Sequence, residues 1–319
     1  MIRRLGIAVA ALSCLAATPA FAQAAHLVVI TGVEAGPEYR QQFHQWASAV
    51  IDAASKGGVP AANVVYLAEQ GDRDPRVTGR STKDGIERAF DTLAAAVQPS
   101  DSVFIVLFGH GSYDGQRAAL NLPGPDLTAA DWARLLGRLK DQRVVFVNTA
   151  SSSGAFLEPL ATPGRVIVTA TKTGGERNET RFPAYFVEAL TSPEADQNHD
   201  GRVSVLEAFQ YAKTQVEDAY KKEGLLLTEH AALEDGGGVL AATLALGASG
   251  GAAADADAAA SDPQMRALLE ERHALEQQVD ALKLRKASMP EADYEAQLEK
   301  LLTALALKSR EIEQAKAKK

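Results

Sequence analysis

The chain has 319 residues, of which 46% are hydrophobic and 23% are charged, and its formal net charge is −8. This composition is that of an ordinary globular protein, and the length allows one domain of about 200 residues with additional segments. Apart from the last few residues, the basic side chains are scattered, so we expect no nucleic-acid-binding surface. The glycine motifs that hold phosphates or dinucleotides are also missing, so we expect no organic cofactor.

The first 22 residues have the features of a signal peptide. Two arginines precede an apolar segment, 5–17, that is too short to span a bilayer, and an A-x-A cleavage site ends at Ala22. Residues 11–14 match a lipoprotein signal only weakly, which favours cleavage after Ala22 over lipidation of Cys14. We therefore expect an exported protein, periplasmic or secreted, that begins at Gln23 and has no transmembrane span. The only cysteine, Cys14, lies in the segment to be removed, so the mature chain would have no thiol.

From residue 26 onward, apolar segments of strand length alternate with segments of helical periodicity. Strands that alternate with helices predict an α/β fold, with a mostly parallel sheet and helices on both of its faces. We assign this domain to residues 23–240. The predicted strands are 26–32, 63–67, 103–108, 143–148 and 165–170.

Two neighbouring strands of this pattern end in turns made of small residues. Strand 103–108 leads into Gly-His-Gly, with His110 at its centre, and strand 143–148 leads into Ala-Ser-Ser-Ser-Gly at 150–154. The carboxyl ends of parallel strands meet at one edge of a sheet, where ligands bind. We therefore expect the two turns to lie side by side, although each could simply be a tight connection without chemistry.

The order and strand context of these motifs resemble the caspase and legumain clan of cysteine peptidases, in particular bacterial legumain-like proteins. The resemblance covers roughly residues 26–235 and implies a caspase-like fold. It also implies that His110 is the base, and that the backbone N–H groups of Gly111 and Ser151 form the oxyanion hole. Ser151 occupies the position of the family's nucleophilic cysteine, and Ser152 is the alternative nucleophile if the register differs by one residue.

Serine in place of cysteine changes the chemistry that this site can perform. A cysteine is partly ionised at neutral pH, whereas a serine hydroxyl needs a base in contact with it and a third group that orients the base. Asp114 is a candidate third group only because it is close in sequence. We therefore expect a degenerate peptidase, a pseudoenzyme that binds or scaffolds a peptide or protein partner. The alternative is an active peptidase or hydrolase that uses Ser151 with His110.

Residues 196–207 match the EF-hand calcium loop, D-x-[DN]-x-[DN]-G-x5-E, at every position. Helical patterns flank the loop on both sides. The alternative is a helix N-cap, because a serine followed three residues later by a glutamate is also a capping box. We predict one Ca²⁺ ion, held by the side chains of Asp196, Asn198, Asp200 and Glu207, by the carbonyl oxygen of Arg202 and, through water, by Ser204.

The last eighty residues differ in composition from the α/β domain. Residues 241–261 are rich in alanine and glycine and are typical of a flexible linker. In 262–319, apolar side chains follow heptad spacing in two segments that a Ser-Met-Pro sequence separates at 288–290. This pattern predicts an antiparallel coiled-coil hairpin that could mediate self-association. A solvated helical tail is the alternative.

Overall fold

The computed structural model describes residues 24–71, 74–99, 101–198, 201–236, 240–246, 262–284 and 289–317. Three of the sequence-based predictions therefore fall wholly or partly outside the described residues. These are the signal peptide at 1–22, the calcium ligand Asp200 and residues 247–261 of the linker.

The strands of the described chain form one large sheet and one small one. The seven-stranded sheet has the order β10-β9-β8-β4-β1-β2-β3, and the three-stranded sheet has the order β5-β6-β7. These labels number the strands in chain order: β1 (Ala25–Thr31), β2 (Val64–Ala68), β3 (Gly79–Arg80), β4 (Ser102–Phe108), β5 (Gly111–Tyr113), β6 (Ala118–Leu120), β7 (Leu127–Thr128), β8 (Arg143–Asn148), β9 (Arg165–Thr169) and β10 (Ala232–Glu234).

The large sheet confirms the predicted α/β fold. All of its pairings are parallel except that of the edge strand β10, which runs antiparallel to β9. The five predicted strands are present within one or two residues of their expected ends. The edge strands β3 and β10 were not predicted, because segments of two or three residues are too short to show a periodic pattern.

Helices cover both faces of this sheet. In the α/β domain the helices are α1 (Pro37–Lys56), α2 (Lys83–Ala96), α3 (Ala129–Leu136), α4 (Leu157–Leu160), α5 (Phe182–Ala189), α6 (Val205–Glu223) and α7 (Leu240–Thr243). Two longer helices follow, α8 (Pro263–Leu284) and α9 (Glu291–Ala317). Along β4, alternate side chains enter two separate apolar cores. Phe104, Val106 and Phe108 pack with α1, α5 and α6, whereas Val103, Ile105 and Leu107 pack with α2 and α3.

The alanine-rich stretch after residue 240 does not begin as a flexible linker. Residues 240–243 form α7, and Ala241, Ala242 and Leu244 are buried against the core of the α/β domain. Residues 240–244 therefore pack with the α/β domain, because the small side chains in α7 allow close packing; the domain boundary and the linker after residue 246 stay predictions.

Helices α8 and α9 contact each other. The apolar positions of the heptad pattern are buried or half-buried there, including Met265, Val279, Tyr294 and Ile312. The coiled-coil geometry and self-association stay predictions. No helix in the described ranges combines the length and the apolar character needed to cross a membrane.

Candidate active site

The turns that carry His110 and Ser151 meet at the carboxyl edge of the sheet, because β4 and β8 are adjacent parallel strands. Their contact is very close: a Cβ atom added to Gly111 would lie 1.9 Å from the carbonyl oxygen of Ser151. The Ser151 hydroxyl donates a hydrogen bond to the Gly111 carbonyl (3.2 Å), and the Gly111 N–H is 3.4 Å from the Ser151 Oγ. Only glycine fits at position 111 while the two turns stay in this contact.

The imidazole of His110 lies against aromatic side chains of α1. Its ring packs edge-on against Tyr39 and Phe43, with centroid distances of 4.5 and 5.4 Å. Burial lowers the pKa of His110 below its usual value, and the nearby carboxylate of Glu179 opposes this effect. The Nε2 atom is buried and has no hydrogen-bond partner in the described structure. His110 is therefore a neutral imidazole at pH 7, placed to receive a hydrogen bond or a proton.

The two candidate nucleophiles occupy different environments. Ser151 is half-buried and lines the same crevice as His110, but its hydroxyl bonds to Gly111 and no hydrogen bond joins Ser151 to His110 in the described chain. Ser152 is only 1% exposed, and its hydroxyl has no hydrogen-bond partner within the described ranges. Its backbone is left-handed (φ 58°), and its N–H donates to the carbonyl of Glu176. Ser151 is thus the serine that faces the crevice.

Asp114 does not orient His110, so the suggestion that it is the third group is wrong. Its exposed carboxylate accepts hydrogen bonds from the N–H groups of Gln116 and Arg117 and from the Arg117 guanidinium. These bonds hold the pKa of Asp114 below its usual value. The side chain stabilises its own turn, as aspartates commonly do after a strand.

The turn after β8 is held in place by residues that follow β9. The Thr171 hydroxyl accepts a hydrogen bond from the Gly154 N–H (2.8 Å) and lies 3.3 Å from the Ser153 hydroxyl. The Thr180 hydroxyl donates to the carbonyl of Thr149 at 2.7 Å. These contacts fix the backbone on both sides of Ser151, so structural hydrogen bonds hold the turn in shape whether or not Ser151 has a catalytic role.

The crevice between His110 and Ser151 is narrow and opens beside a larger groove. Its cavity volume of about 20 Å³ has room for one water-sized group. The adjoining groove has a volume of about 640 Å³ and shares Trp46, Glu179 and Thr180 with the crevice. Leu225 and Leu226 line the groove with 52% and 88% of their surface exposed.

Sequence reasoning did not find Tyr39, Trp46, Glu179 or Thr180. Tyr39 and Trp46 belong to the apolar face of an ordinary amphipathic helix, and Glu179 and Thr180 lie in a polar loop after β9. The Tyr39 hydroxyl donates to Glu179 at 3.2 Å across the mouth of the crevice. None of these residues has a local motif that distinguishes it from a core or surface residue.

In the predicted calcium loop, two carboxylates accept hydrogen bonds from backbone N–H groups of the loop itself. Asp196 accepts a hydrogen bond from the N–H of Gly201 (2.9 Å), and Gly201 has the positive φ of 80° that this turn requires. One oxygen of Glu207 accepts from the N–H groups of Gln197 and Asn198, both at 3.2 Å. The first and last acidic positions of the loop are therefore brought together.

Glu207 also caps helix α6. Its second oxygen accepts from the N–H and hydroxyl of Ser204, and Ser204 accepts from the Glu207 N–H, which is a complete capping box. Among the described residues, no group of three or more His, Cys, Asp or Glu side chains forms a metal-binding cluster. Since Asp200 lies outside them, Ca²⁺ stays a prediction.

The mostly parallel sheet, with a histidine turn after one strand and a small-residue turn after its neighbour, is consistent with a caspase-like fold. Residues 84–231 match the Peptidase C13 family, the legumain family of the caspase-like clan. This matched segment is therefore similar to the legumain family, and it contains His110, Ser151 and the predicted calcium loop. No curated protein matches the chain.

Proposed function

We propose that this protein is an exported, degenerate legumain-like domain that binds peptide or protein segments rather than cleaving them. The observation that carries the proposal is the hydrogen bond from the Ser151 hydroxyl to the Gly111 carbonyl. This bond directs the serine proton away from His110, and the Gly111 N–H points to the serine oxygen rather than to a free oxyanion position. A serine without an engaged base is a poor nucleophile.

The surroundings of His110 also favour a loss of catalysis. Burial lowers the pKa of the imidazole, which makes it a weaker base. Among the described residues, neither ring nitrogen of His110 hydrogen-bonds to a carboxylate, and the buried Nε2 atom has no partner at all. In serine enzymes an acidic or amide group fixes the histidine so that it can take the serine proton.

The groove beside the crevice supports peptide binding. Its wall includes Trp46, Tyr185, Tyr220 and two exposed leucines, so it offers a large apolar contact next to polar backbone. Aromatic and aliphatic side chains of this kind supply most of the affinity in peptide-binding clefts. We therefore expect the preferred peptides to carry a large apolar residue.

Peptide hydrolysis and peptide binding should be measured on the same protein. We expect no turnover of a peptide library by wild type, and binding of apolar peptides that Leu226→Ser weakens about tenfold by fluorescence anisotropy. Leu307→Ser is the matched control, because Leu307 is also exposed (58%) but lies in α9. Equal affinity of wild type and Leu226→Ser would contradict binding in this groove.

An active serine hydrolase is the second candidate function. The observation that favours it is that Ser151 and His110 line one crevice, so a rotation of the Ser151 hydroxyl would turn it towards the imidazole. This function predicts turnover, or labelling by a serine-hydrolase probe, that is lost in Ser151→Ala. Ser112→Ala, at an exposed serine on β5, should then keep full activity.

A calcium ion in the loop 196–207 is part of the proposal. The complete motif supports it, as does the proximity of Asp196 and Glu207 at the two ends of the loop. Calcium would have to compete with the hydrogen bonds that Glu207 already accepts, which suits the weak binding, about 10⁻⁴ to 10⁻³ M, of extracellular modules.

The calcium site can be tested by thermal unfolding. At about a hundred times its Kd, calcium should stabilise the protein by about 2.7 kcal/mol and raise the Tm by several degrees relative to chelator. Asp196→Asn should abolish the increase, whereas Glu194→Gln, an exposed acid just outside the loop, should leave it unchanged. Identical melting of wild type with calcium and with chelator would assign the loop to helix capping alone.

Export and self-association complete the proposal. N-terminal sequencing of the periplasmic or secreted protein should begin at Gln23, and a lipid-modified Cys14 would contradict this. Sedimentation equilibrium of the full chain should show an oligomer that dissociates in Leu302→Glu, because Leu302 is an exposed leucine (44%) of α9 that a second copy could cover. A monomeric wild-type protein would exclude assembly through the hairpin.

A further inference from the structure

A second groove lies on the side of the large sheet that ends in strand β3, between strands β2 and β3 and helix α2. It shares no lining residue with the crevice of His110 and Ser151. Its volume of about 410 Å³ falls in the range of small-molecule sites, about 300 to 1,000 Å³. The floor is apolar and consists of Val65, Leu67, Ala89, Leu93 and Ala96.

The polar side chains of this groove, apart from its arginines, are already bonded within the protein. The groove therefore has few uncharged side chains left to hydrogen-bond with a ligand, which argues against sugars and nucleotides as ligands. The bonds run from Asn63 Nδ2 to Ala25 O (3.1 Å), from Thr78 Oγ1 to Tyr66 O (3.1 Å), from Thr92 Oγ1 to Arg88 O (3.0 Å) and between His26 Nε2 and Asp101 Oδ2 (3.3 Å).

Two exposed guanidinium groups, those of Arg80 and Arg88, lie at this groove. Arg80 donates one hydrogen bond to the carbonyl of Glu69 (3.2 Å), and neither arginine forms an ion pair with any described residue. Helix α2 carries three acids. Glu87 and Asp91 pair with arginines 134 and 138, on the side of the helix that faces α3, and Asp84 in the first turn forms no ion pair among the described residues. The groove thus combines an apolar floor with two guanidinium groups that form no ion pair among the described residues, in a protein whose net charge is negative.

We propose that this groove binds an amphipathic carboxylate with an aliphatic chain, of the size of a medium-chain fatty acid. The chain would cover the apolar floor and lose its contact with water. The carboxylate would accept hydrogen bonds from Arg80 and Arg88, whose planar guanidinium groups match carboxylate geometry. This site is independent of the peptide-binding function, because it uses a different edge of the sheet.

Isothermal titration of the full-length protein with decanoate, below its micelle concentration, tests the proposal. Wild type should bind decanoate, whereas decanol, which lacks the charge, and butyrate, which lacks the chain, should bind at least several-fold more weakly. The double variant Arg80→Gln/Arg88→Gln should raise the Kd of decanoate about tenfold. Arg143→Gln, at an exposed arginine on β8 outside the groove, is the matched control and should not change the Kd.

A second variant tests the apolar floor separately from the charge. Ala89 is half-buried on α2, and Ala89→Trp should fill the groove and abolish decanoate binding while the far-ultraviolet circular dichroism stays that of wild type. The absence of measurable decanoate binding to wild type would overturn the proposal. Equal binding of decanoate by wild type and the double arginine variant, or equal binding of decanol and decanoate, would overturn it as well.

Discussion

Glu229 is a buried acid beside the candidate active site, and it should make the stability of this protein fall as the pH rises. Glu229 is 2% exposed, and one carboxyl oxygen has no hydrogen-bond partner in the part of the chain that the structure describes. The other oxygen accepts a hydrogen bond from the Arg181 N–H (2.7 Å). Burial raises its pKa from 4.5 to about 7, although hydrogen bonds from the backbone N–H groups at the start of α5 oppose the increase. The folded protein therefore holds a proton here that the unfolded chain releases.

The size of the effect follows from the two pKa values. A rise in pKa from 4.5 to about 7 corresponds to at most about 3 to 4 kcal/mol of unfolding free energy, at about 1.4 kcal/mol per pKa unit. Because the folded-state pKa of Glu229 is the higher one, its protonation stabilises the fold fully below pH 4.5. This contribution is lost as the pH rises to about 7, where the carboxyl group ionises in the folded state.

Urea unfolding of wild type and Glu229→Gln between about pH 5 and pH 8 measures this contribution. The tryptophan fluorescence is a suitable probe, because Trp46 and Trp132 both lie in the α/β domain. Relative to Glu229→Gln, wild type should lose up to about 3 kcal/mol of unfolding free energy over this range, so the variant becomes the more stable protein at pH 8.

Glu223→Gln is the control for this experiment. Glu223 is exposed, and its ion pair with Arg181 lowers its pKa, so its contribution is lost as the pH falls rather than as it rises. If wild type and Glu229→Gln show the same pH dependence, the buried carboxyl group is not the source of the effect, and the reasoning from burial is wrong.

Three further substitutions test the geometry of the site and the fold by thermal unfolding. Gly111→Ala should destabilise the protein by about 3 kcal/mol, because the added Cβ would overlap the Ser151 carbonyl. Gly71→Ala is the control and should be nearly neutral, because no described atom lies within 4 Å of its added Cβ. The same Tm for both variants would contradict the contact between Gly111 and Ser151. Ser152→Gly should stabilise the protein by about 1 kcal/mol, because glycine adopts the left-handed backbone without strain and the unpartnered buried hydroxyl is removed. A Tm below that of wild type would refute this. Thr128→Ala should cost about 1 kcal/mol by removing the cap of α3, and an unchanged Tm would show that the cap contributes nothing.

The amino-acid sequence by itself determined the features that depend on neighbours along the chain. The apolar run of β4, the capping box at Thr128 and the glycine at position 201 each act through side chains or backbone within a few residues. Such local patterns are sufficient to predict the strands, their alternation with helices and hence a parallel sheet. The same rule placed the turns of His110 and Ser151 at one edge of that sheet.

Only the tertiary structure decided which groups meet within the site. The Tyr39 hydroxyl donates a hydrogen bond to Glu179, which lies 140 positions later in the sequence, and no local pattern identifies such a pair. The hydroxyl of Ser151 could have bonded to His110 or to Gly111, and the close packing of the two turns selected Gly111. Local preferences act over a few residues and therefore predict elements, whereas the partners of a side chain depend on how those elements pack against each other.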